Sequence, residues 1–395
     1  MRRDRLILAA LILLTGCDRA DRPGVFREVS DSAGVEVVRV SAPSSELPLT
    51  AHAALKTGVA TGSPDYELSD VGGALILSTG EVVVADGGSR ELRFYDAGGS
   101  YMRSQGGEGE GPGEFESLDY VGLIGADTLV VYDGRLLRAT LISIDGDFIS
   151  SYSIAGATLP SVVGALESGD LVAWQFSGPE PEGLGVYAAN MEFGTVGRTE
   201  PRFDVVGTLK GGEEGQVRYS GRVTRAFRPF AREGDVAAGG QWIYALSSSA
   251  DNRIEVWDSS GSLLRVLAVD ESRAPSTDAR TSAWIASWMQ AFPPPSESVE
   301  QWWRYGFRQL EPPDSVPLLR SLEVDVAGNV CAERYPLTLQ SPSQYWCFTP
   351  TGEFSRQFEL PPGRVREGPH PFWDAQIQIL EDRVVGVWAD ELGVQ

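Results

Sequence analysis

From Gly34 onward the chain repeats one theme: short apolar segments with period-two alternation, separated by Gly- and Asp-rich turns. A period of two places successive side chains on opposite faces, so each segment reads as a strand and each turn as a hairpin. The clearest unit runs Ala74-Leu75-Ile76-Leu77, turns at Ser78-Thr79-Gly80, and continues as Glu81-Val82-Val83-Val84-Ala85-Asp86. A third strand, Glu91-Leu92-Arg93-Phe94-Tyr95-Asp96, turns through Ala97-Gly98-Gly99 into Ser100-Tyr101-Met102-Arg103. The theme returns at 127–133, 139–145 and 148–150, then at 241–246, 253–258 and 263–265, and again at 328–332, 345–348 and 354–355.

Asp96, Asp145 and Asp258 are expected at one place in this repeat, where a carboxylate accepts a backbone N–H and a following Gly supplies positive φ. Asp96 and Asp145 are 49 residues apart, and Asp145 and Asp258 are 113 apart, about two repeats. A degenerate copy is therefore expected over 162–197, opening with Val162-Val163-Gly164-Ala165-Leu166. Four-stranded units at this period read as propeller blades. They are expected at 70–115, 117–156, 159–207, 228–270 and 318–360, with a last one at 374–390. N-terminal strands near 34–40 and 54–59 are expected to complete the last blade, which would close the ring and remove exposed edges. The pattern weakens over 201–230, where glycines and charges interrupt it. Residues 271–316 depart from it altogether: 279–291 and 298–310 have helical apolar spacing around Pro293-Pro294-Pro295, which predicts a helical insertion between blades.

The run Gly106-Gly107-Glu108-Gly109-Glu110-Gly111-Pro112-Gly113-Glu114-Phe115 resembles the GxGPGEF signature of NHL-like six-bladed β-propellers. Val83-Val84-Ala85-Asp86-Gly87-Gly88 and the Phe94-Tyr95-Asp96 turn fit the same family. The resemblance is strongest over about 56–150 and implies an all-β fold, a six-bladed β-propeller with a helical insertion between blades. The glycine run lacks the Lys-Ser/Thr of a phosphate loop and carries Glu108, Glu110 and Glu114, so it reads as a blade-connecting loop.

The first sixteen residues have the order of a secretory signal. Arg2, Arg3 and Arg5 precede the unbroken apolar run 6–14, which is far shorter than the ~20 residues of a membrane-spanning helix. Leu14-Thr15-Gly16-Cys17 resembles the bacterial lipobox, which implies lipidation at Cys17 and cleavage before it. Several acyl chains hold a protein to a bilayer, each buried methylene contributing about 0.8 kcal/mol. The expected organisation is a signal peptide at 1–16, a lipidated tether at 17–32 and the propeller at 33–395. Asp18 resembles an inner-membrane retention signal of some enteric bacteria, and the choice of membrane stays open.

Charge narrows the partners. The chain has a formal charge of −22, and loss of the signal makes it about −24. Such a surface repels phosphate backbones, which argues against nucleic acid and against anionic lipid as a ligand. Among three cysteines, Cys17 is assigned to lipid, leaving Cys331 and Cys347. If their segments are neighbouring strands, the pair could face one another and oxidise in an exported compartment; the alternative is two buried thiols.

No catalytic residue is assigned. Only His52 and His370 exist, so a three-His metal site is excluded, and HExxH and GxSxG are absent. No cofactor is expected, although channel carboxylates could hold Ca²⁺; Asp86, Asp133 and Asp390 read more simply as turn acceptors. Trp284, Trp288, Trp302, Trp303 and Tyr305 either pack the insertion onto the propeller or form an aromatic lid for a sugar or peptide. The function expected first is a non-catalytic binding or scaffold propeller, held to the membrane at the cell envelope and contacting a protein, peptide or glycan. A metal-dependent hydrolase or lyase is the alternative, and a structural subunit of an envelope complex a third. Fold alone does not decide among them.

Overall fold

The computed structural model describes residues 26–41, 62–154, 160–178, 183–249, 252–362 and 377–387. An N-terminal hairpin comprises β1 (Arg27–Ser32) and β2 (Val35–Val40). The first sheet is β3 (Val71–Ile76), β4 (Val82–Asp86), β5 (Glu91–Tyr95) and β6 (Tyr101–Gly106). The second is β7 (Tyr120–Ile124), β8 (Thr128–Asp133), β9 (Arg138–Ser143) and β10 (Phe148–Ser153). The third has five strands: β11 (Ser161–Ala165), β12 (Leu171–Ser177), β13 (Gly185–Val196), β14 (Phe203–Tyr219) and β15 (Arg222–Ala226). The fourth is built from β16 (Asp235–Gly239), β17 (Trp242–Leu246), β18 (Arg253–Asp258) and β19 (Leu263–Val269). Helices α1 (Asp278–Ala291) and α2 (Glu297–Gln309) come next, followed by the fifth sheet, β20 (Leu319–Val324), β21 (Val330–Arg334), β22 (Ser343–Phe348) and β23 (Phe354–Leu360). The sixth contains β24 (Gln378–Ile379) and β25 (Val384–Val385) among the described residues.

From β3 onward the strands of each sheet pair antiparallel in chain order, and neighbouring sheets touch through the first of these strands. The contacts run from β3 to β7, β11, β16, β20 and β24, and from β24 back to β3. That closed circuit of sheets is a β-propeller. It explains the apolar runs in β4 and β8, because a strand inside a blade is covered by a sheet on either side. Val83, Phe94, Val121 and Leu129 form part of the core between the first two sheets, and Tyr244, Val256, Leu322 and Phe348 part of that between the fourth and fifth.

One turn recurs through the blades. In the first sheet Leu77 N–H donates to Glu81 O at 2.8 Å and Gly80 N–H to Leu77 O at 2.9 Å, with Gly80 at φ 88°. The same pair of bonds closes turns at 96–100, 143–147, 166–170, 258–262, 325–329 and 349–353, each with a positive-φ Gly fourth. Asp96 and Asp258 open two of them, each accepting two backbone N–H groups through Oδ1. Asp145 does not occupy that position. Ser143 opens the second-sheet turn and accepts Asp147 N–H through Oγ at 3.0 Å, so the expected alignment is corrected by two residues.

Three further expectations are corrected. Strand β2 does not complete the last sheet: it adds parallel to β19 on the outer edge of the fourth, burying Val38 and Val40. Arg265 fixes that register, donating from Nε and Nη2 to the two carboxylate oxygens of Glu36 at 3.1 Å each, and this bond holds the Glu36 pKa below its usual value. The segment 54–59 lies outside the described residues. Part of the expected tether, 27–32, is strand β1. Finally, 201–230 is not a weak stretch: it holds the 17-residue β14 and the added strand β15.

Candidate functional site

Strands β13 and β14 outrun β12, whose last pair is Ser177 with Asn190. Their free ends, with β15, form a ribbon whose residues 212–214 and 225–226 line one cavity with Asp235 of β16 and Arg320 of β20. Helix α2 lies against this ribbon. The insertion is fixed beneath by Trp284 and Trp288, both essentially buried among Phe230, Phe307 and Tyr335. Both helices begin as their sequences dictate: Thr277 caps Arg280 N–H and Ser296 caps Val299 N–H.

Between ribbon, helix and blades lies a cavity of about 330 Å³. Trp174 and Phe176 from the end of β12, Phe227 after β15, and Trp302 from α2 give it aromatic walls. The Trp174 and Phe176 rings meet edge to face at 5.2 Å, and Phe176 is 55% exposed. Phe227 is backed by Trp288 at 4.9 Å and by Trp303 at 6.5 Å. Of the five insertion aromatics, therefore, Trp284 and Trp288 pack the insertion, while Trp302 faces the cavity. Tyr305 packs on Tyr219 of the ribbon at 5.2 Å.

The charged lining is extensively paired. Glu213 Oε2 accepts from Arg228 Nη1 at 2.5 Å and from Arg232 N–H at 3.0 Å. Glu214 Oε2 accepts from Tyr187 Oη at 2.8 Å, with Arg225 Nε 3.6 Å away. Desolvation, then the Glu214 hydrogen bond, pushes the Tyr187 pKa up to about 12, so the phenol stays a donor at neutral pH. Asp235 accepts the backbone N–H of Val236 through Oδ1 and that of Leu322 through Oδ2. Arg320, a buried residue of the lining, reaches Glu333 at 3.2 Å. Glu233 adds a further buried carboxyl to the lining.

The other residues singled out in the sequence fall elsewhere. Cys17, His52, His370 and Asp390 lie outside the described residues. Cys331 and Cys347 are directly opposed in the β21–β22 register and joined by a disulfide with Cα atoms 3.9 Å apart, both wholly buried. Asp86 accepts Ser69 N–H, the Ser89 hydroxyl and a guanidinium nitrogen of Arg93, at 2.9, 2.7 and 2.9 Å. Asp133 accepts N–H groups of Glu116, Arg135 and Leu136 and the Ser117 hydroxyl. Both carboxylates thus bind loops to strand ends. The glycine run connects the first two blades, with Gly106, Gly107, Gly109 and Gly113 at positive φ and Phe115 buried. Arg138 clamps it by donating to the carbonyls of Glu110 and Glu114.

Among the described residues no group of three or more His, Cys, Asp or Glu is arranged to hold a metal ion. No helix there is long and apolar enough to cross a membrane. The cavity was missed in the sequence because its parts come from strands, a ribbon and a helix far apart in the chain. The aromatic-rich insertion was the one signal pointing to it.

No family profile matches the chain, and no curated protein matches it. Among solved structures it is similar to an exported protein from Bacteroides fragilis, at 13% identity and a TM-score of 0.42, over 76% of this chain and 73% of that one. A streptogramin B lyase aligns at 11% identity and 0.35, over 77% and 70% of the two chains. A gluconolactonase from Xanthomonas campestris aligns at 10% identity and 0.36, over 78% and 79%. These likenesses carry no argument about activity; the propeller assignment stands on the sheet order.

Proposed function

We propose that this chain is an exported, six-bladed propeller anchored by lipid at Cys17, and that it works at the cell envelope as a non-catalytic binding protein. Its ligand enters the cavity between the ribbon and α2. The observation that supports this reading most is Trp302: a cavity-lining indole whose buried Nε1–H has no hydrogen-bond partner among the described residues. A buried donor left unsatisfied costs about 1–3 kcal/mol, which a ligand acceptor can relieve. Preformed aromatic walls with a few polar groups are the usual make-up of a small-ligand site. Commitment of Glu213 and Asp235 to guanidinium and backbone donors favours a structural role for them over proton transfer.

Passage of an envelope digest containing peptides and glycans over immobilised full-length protein tests the reading. Wild type should retain a component that W302F releases, and retention should survive chelation. Retention unaffected by W302F, or turnover of the component that stops with chelator and returns with Ca²⁺, would favour the hydrolase or lyase. Fractionation of cells carrying C17S tests the anchor separately: the exported protein should leave the membrane fraction.

A further inference from the structure

Resting on the binding reading above, we infer that the cavity takes a neutral saccharide. A cationic ligand would meet the guanidinium groups of Arg225, Arg228 and Arg320, and an anionic one the carboxylates of Glu213, Glu214 and Glu233. Either would bring its charge against like charges already in place, at close quarters and partly removed from water. A polyol avoids both penalties. Each hydroxyl can donate to a carboxylate oxygen or accept from a guanidinium or indole N–H, so a polyol adds to the pairs already made in the lining without bringing net charge against either sign.

The aromatic walls supply the second half of the match. One face of a sugar ring is a patch of C–H groups, which packs on an aromatic face while the ring edge keeps its hydroxyls hydrogen-bonded. Phe176 offers such a platform at the rim, 55% exposed and braced by Trp174. Trp302 forms another wall, and turning its indole to bring Nε1–H onto a ligand oxygen sacrifices no hydrogen bond to the described residues. A volume of about 330 Å³ suits a short unit and not a long chain passing through. The strand edge closest by belongs to β15, which α2 flanks, so peptide addition to that edge is the less favourable arrangement.

The test is calorimetric titration of the full-length protein, in a detergent without a sugar head group, together with tryptophan fluorescence. Neutral probes are N-acetylglucosamine, chitobiose, cellobiose, maltose and lactose; charged ones are glucosamine and galacturonate; peptide ones are trialanine and Ala-Lys-Ala. At least one neutral probe should saturate below about 10 mM, a range in which weak single-site binding is still resolved. W302F keeps an aromatic ring but removes the N–H donor together with the pyrrole half of the indole, and should weaken binding by about tenfold or more, at least the worth of one hydrogen bond. F176A alters an exposed side chain, leaves folding intact and should weaken the same probe. Binding confined to the charged or peptide probes overturns the saccharide inference while the binding reading stands. Binding to none, or equal binding by wild type, W302F and F176A, overturns it as well. Chelator-sensitive turnover of any probe would sink the binding reading itself.

Discussion

Gly306 of α2 stands so close to Ala226 of β15 that a methyl group on Gly306 would lie 2.8 Å from the Ala226 Cβ. A second close approach lies nearby: a Cβ on Gly215 would fall 2.1 Å from Leu310 Cδ1. These two glycines let the helix settle on the ribbon. Trp302 precedes Gly306 by four residues and therefore shares its face of the helix. The contact that seats α2 is thus also the one that sets the cavity wall.

Gly306→Val should lift the helix and cost about 1–3 kcal/mol, the usual range for overpacking a close contact. Gly306→Ala should cost less, because alanine regains about 1 kcal/mol of helix propensity against the smaller clash. Denaturant unfolding measures both. Near-ultraviolet circular dichroism should change in the valine variant, since Trp302 moves with the helix. An unchanged spectrum together with full stability would mean that the contact does not seat α2.

The Cys331–Cys347 bond closes a loop of sequence separation 16 within the fifth sheet. Cross-linking a loop of this size constrains the unfolded chain by about 3 kcal/mol. The double variant C331A/C347A should lose about 2–4 kcal/mol in denaturant unfolding, with cavity binding retained because the cysteines lie outside its lining. Both sulfurs belong to residues wholly buried beside Tyr345 and Phe358. Alkylation in the presence of reductant should therefore follow unfolding. Rapid labelling of the native protein would contradict that burial.

Arg320 and Glu333 form a buried ion pair, and the Ser321 hydroxyl also donates to Glu333 Oε2, at 2.8 Å. Removing one partner leaves the other charge buried, so Arg320→Met should cost about 3–5 kcal/mol. Replacing both, as R320M/E333L, should recover much of that loss. A double-mutant cycle in urea reads the coupling. Additive single losses would show that the two charges do not depend on one another.

The repeat was legible where local chemistry decides structure and illegible where distant packing does. The turns at Asp96 and Asp258 follow from an acceptor and a positive-φ Gly, both local. Ser143 performs the same bond with a hydroxyl, so Asp145, two residues on, drew the alignment away from it. Strand β14 was obscured by glycines that weaken strand propensity but fit close contacts: a Cβ on Gly207 would lie 2.4 Å from Phe193 Cζ. Alternation in 35–40 marked a strand without naming its partner, and that partner, β19, lies more than 200 residues later. The insertion's periodicity foretold helices. Which indole would face the cavity depended on where the ribbon stands, and no local pattern contains that information.

Glu255 and Trp257 allow a prediction about pH. Trp257 Nε1 donates to Glu255 Oε2 at 3.0 Å, yet burial outweighs this bond and raises the Glu255 pKa above its usual 4.5. A raised carboxyl pKa means that the folded chain binds the proton more tightly than the unfolded chain. The resulting stability is fully present below the unfolded value and is lost as pH rises through the folded one. Glu255→Gln keeps the shape and an acceptor for Trp257 while removing the ionisation. Its stability relative to wild type should therefore increase with pH from about 4.5 upward and level off once Glu255 is ionised in the folded protein. Urea midpoints of both proteins between about pH 4 and pH 8 give this difference directly, free of the other carboxylates, which titrate alike in each. Parallel curves would mean that Glu255 ionises in the fold as freely as in water.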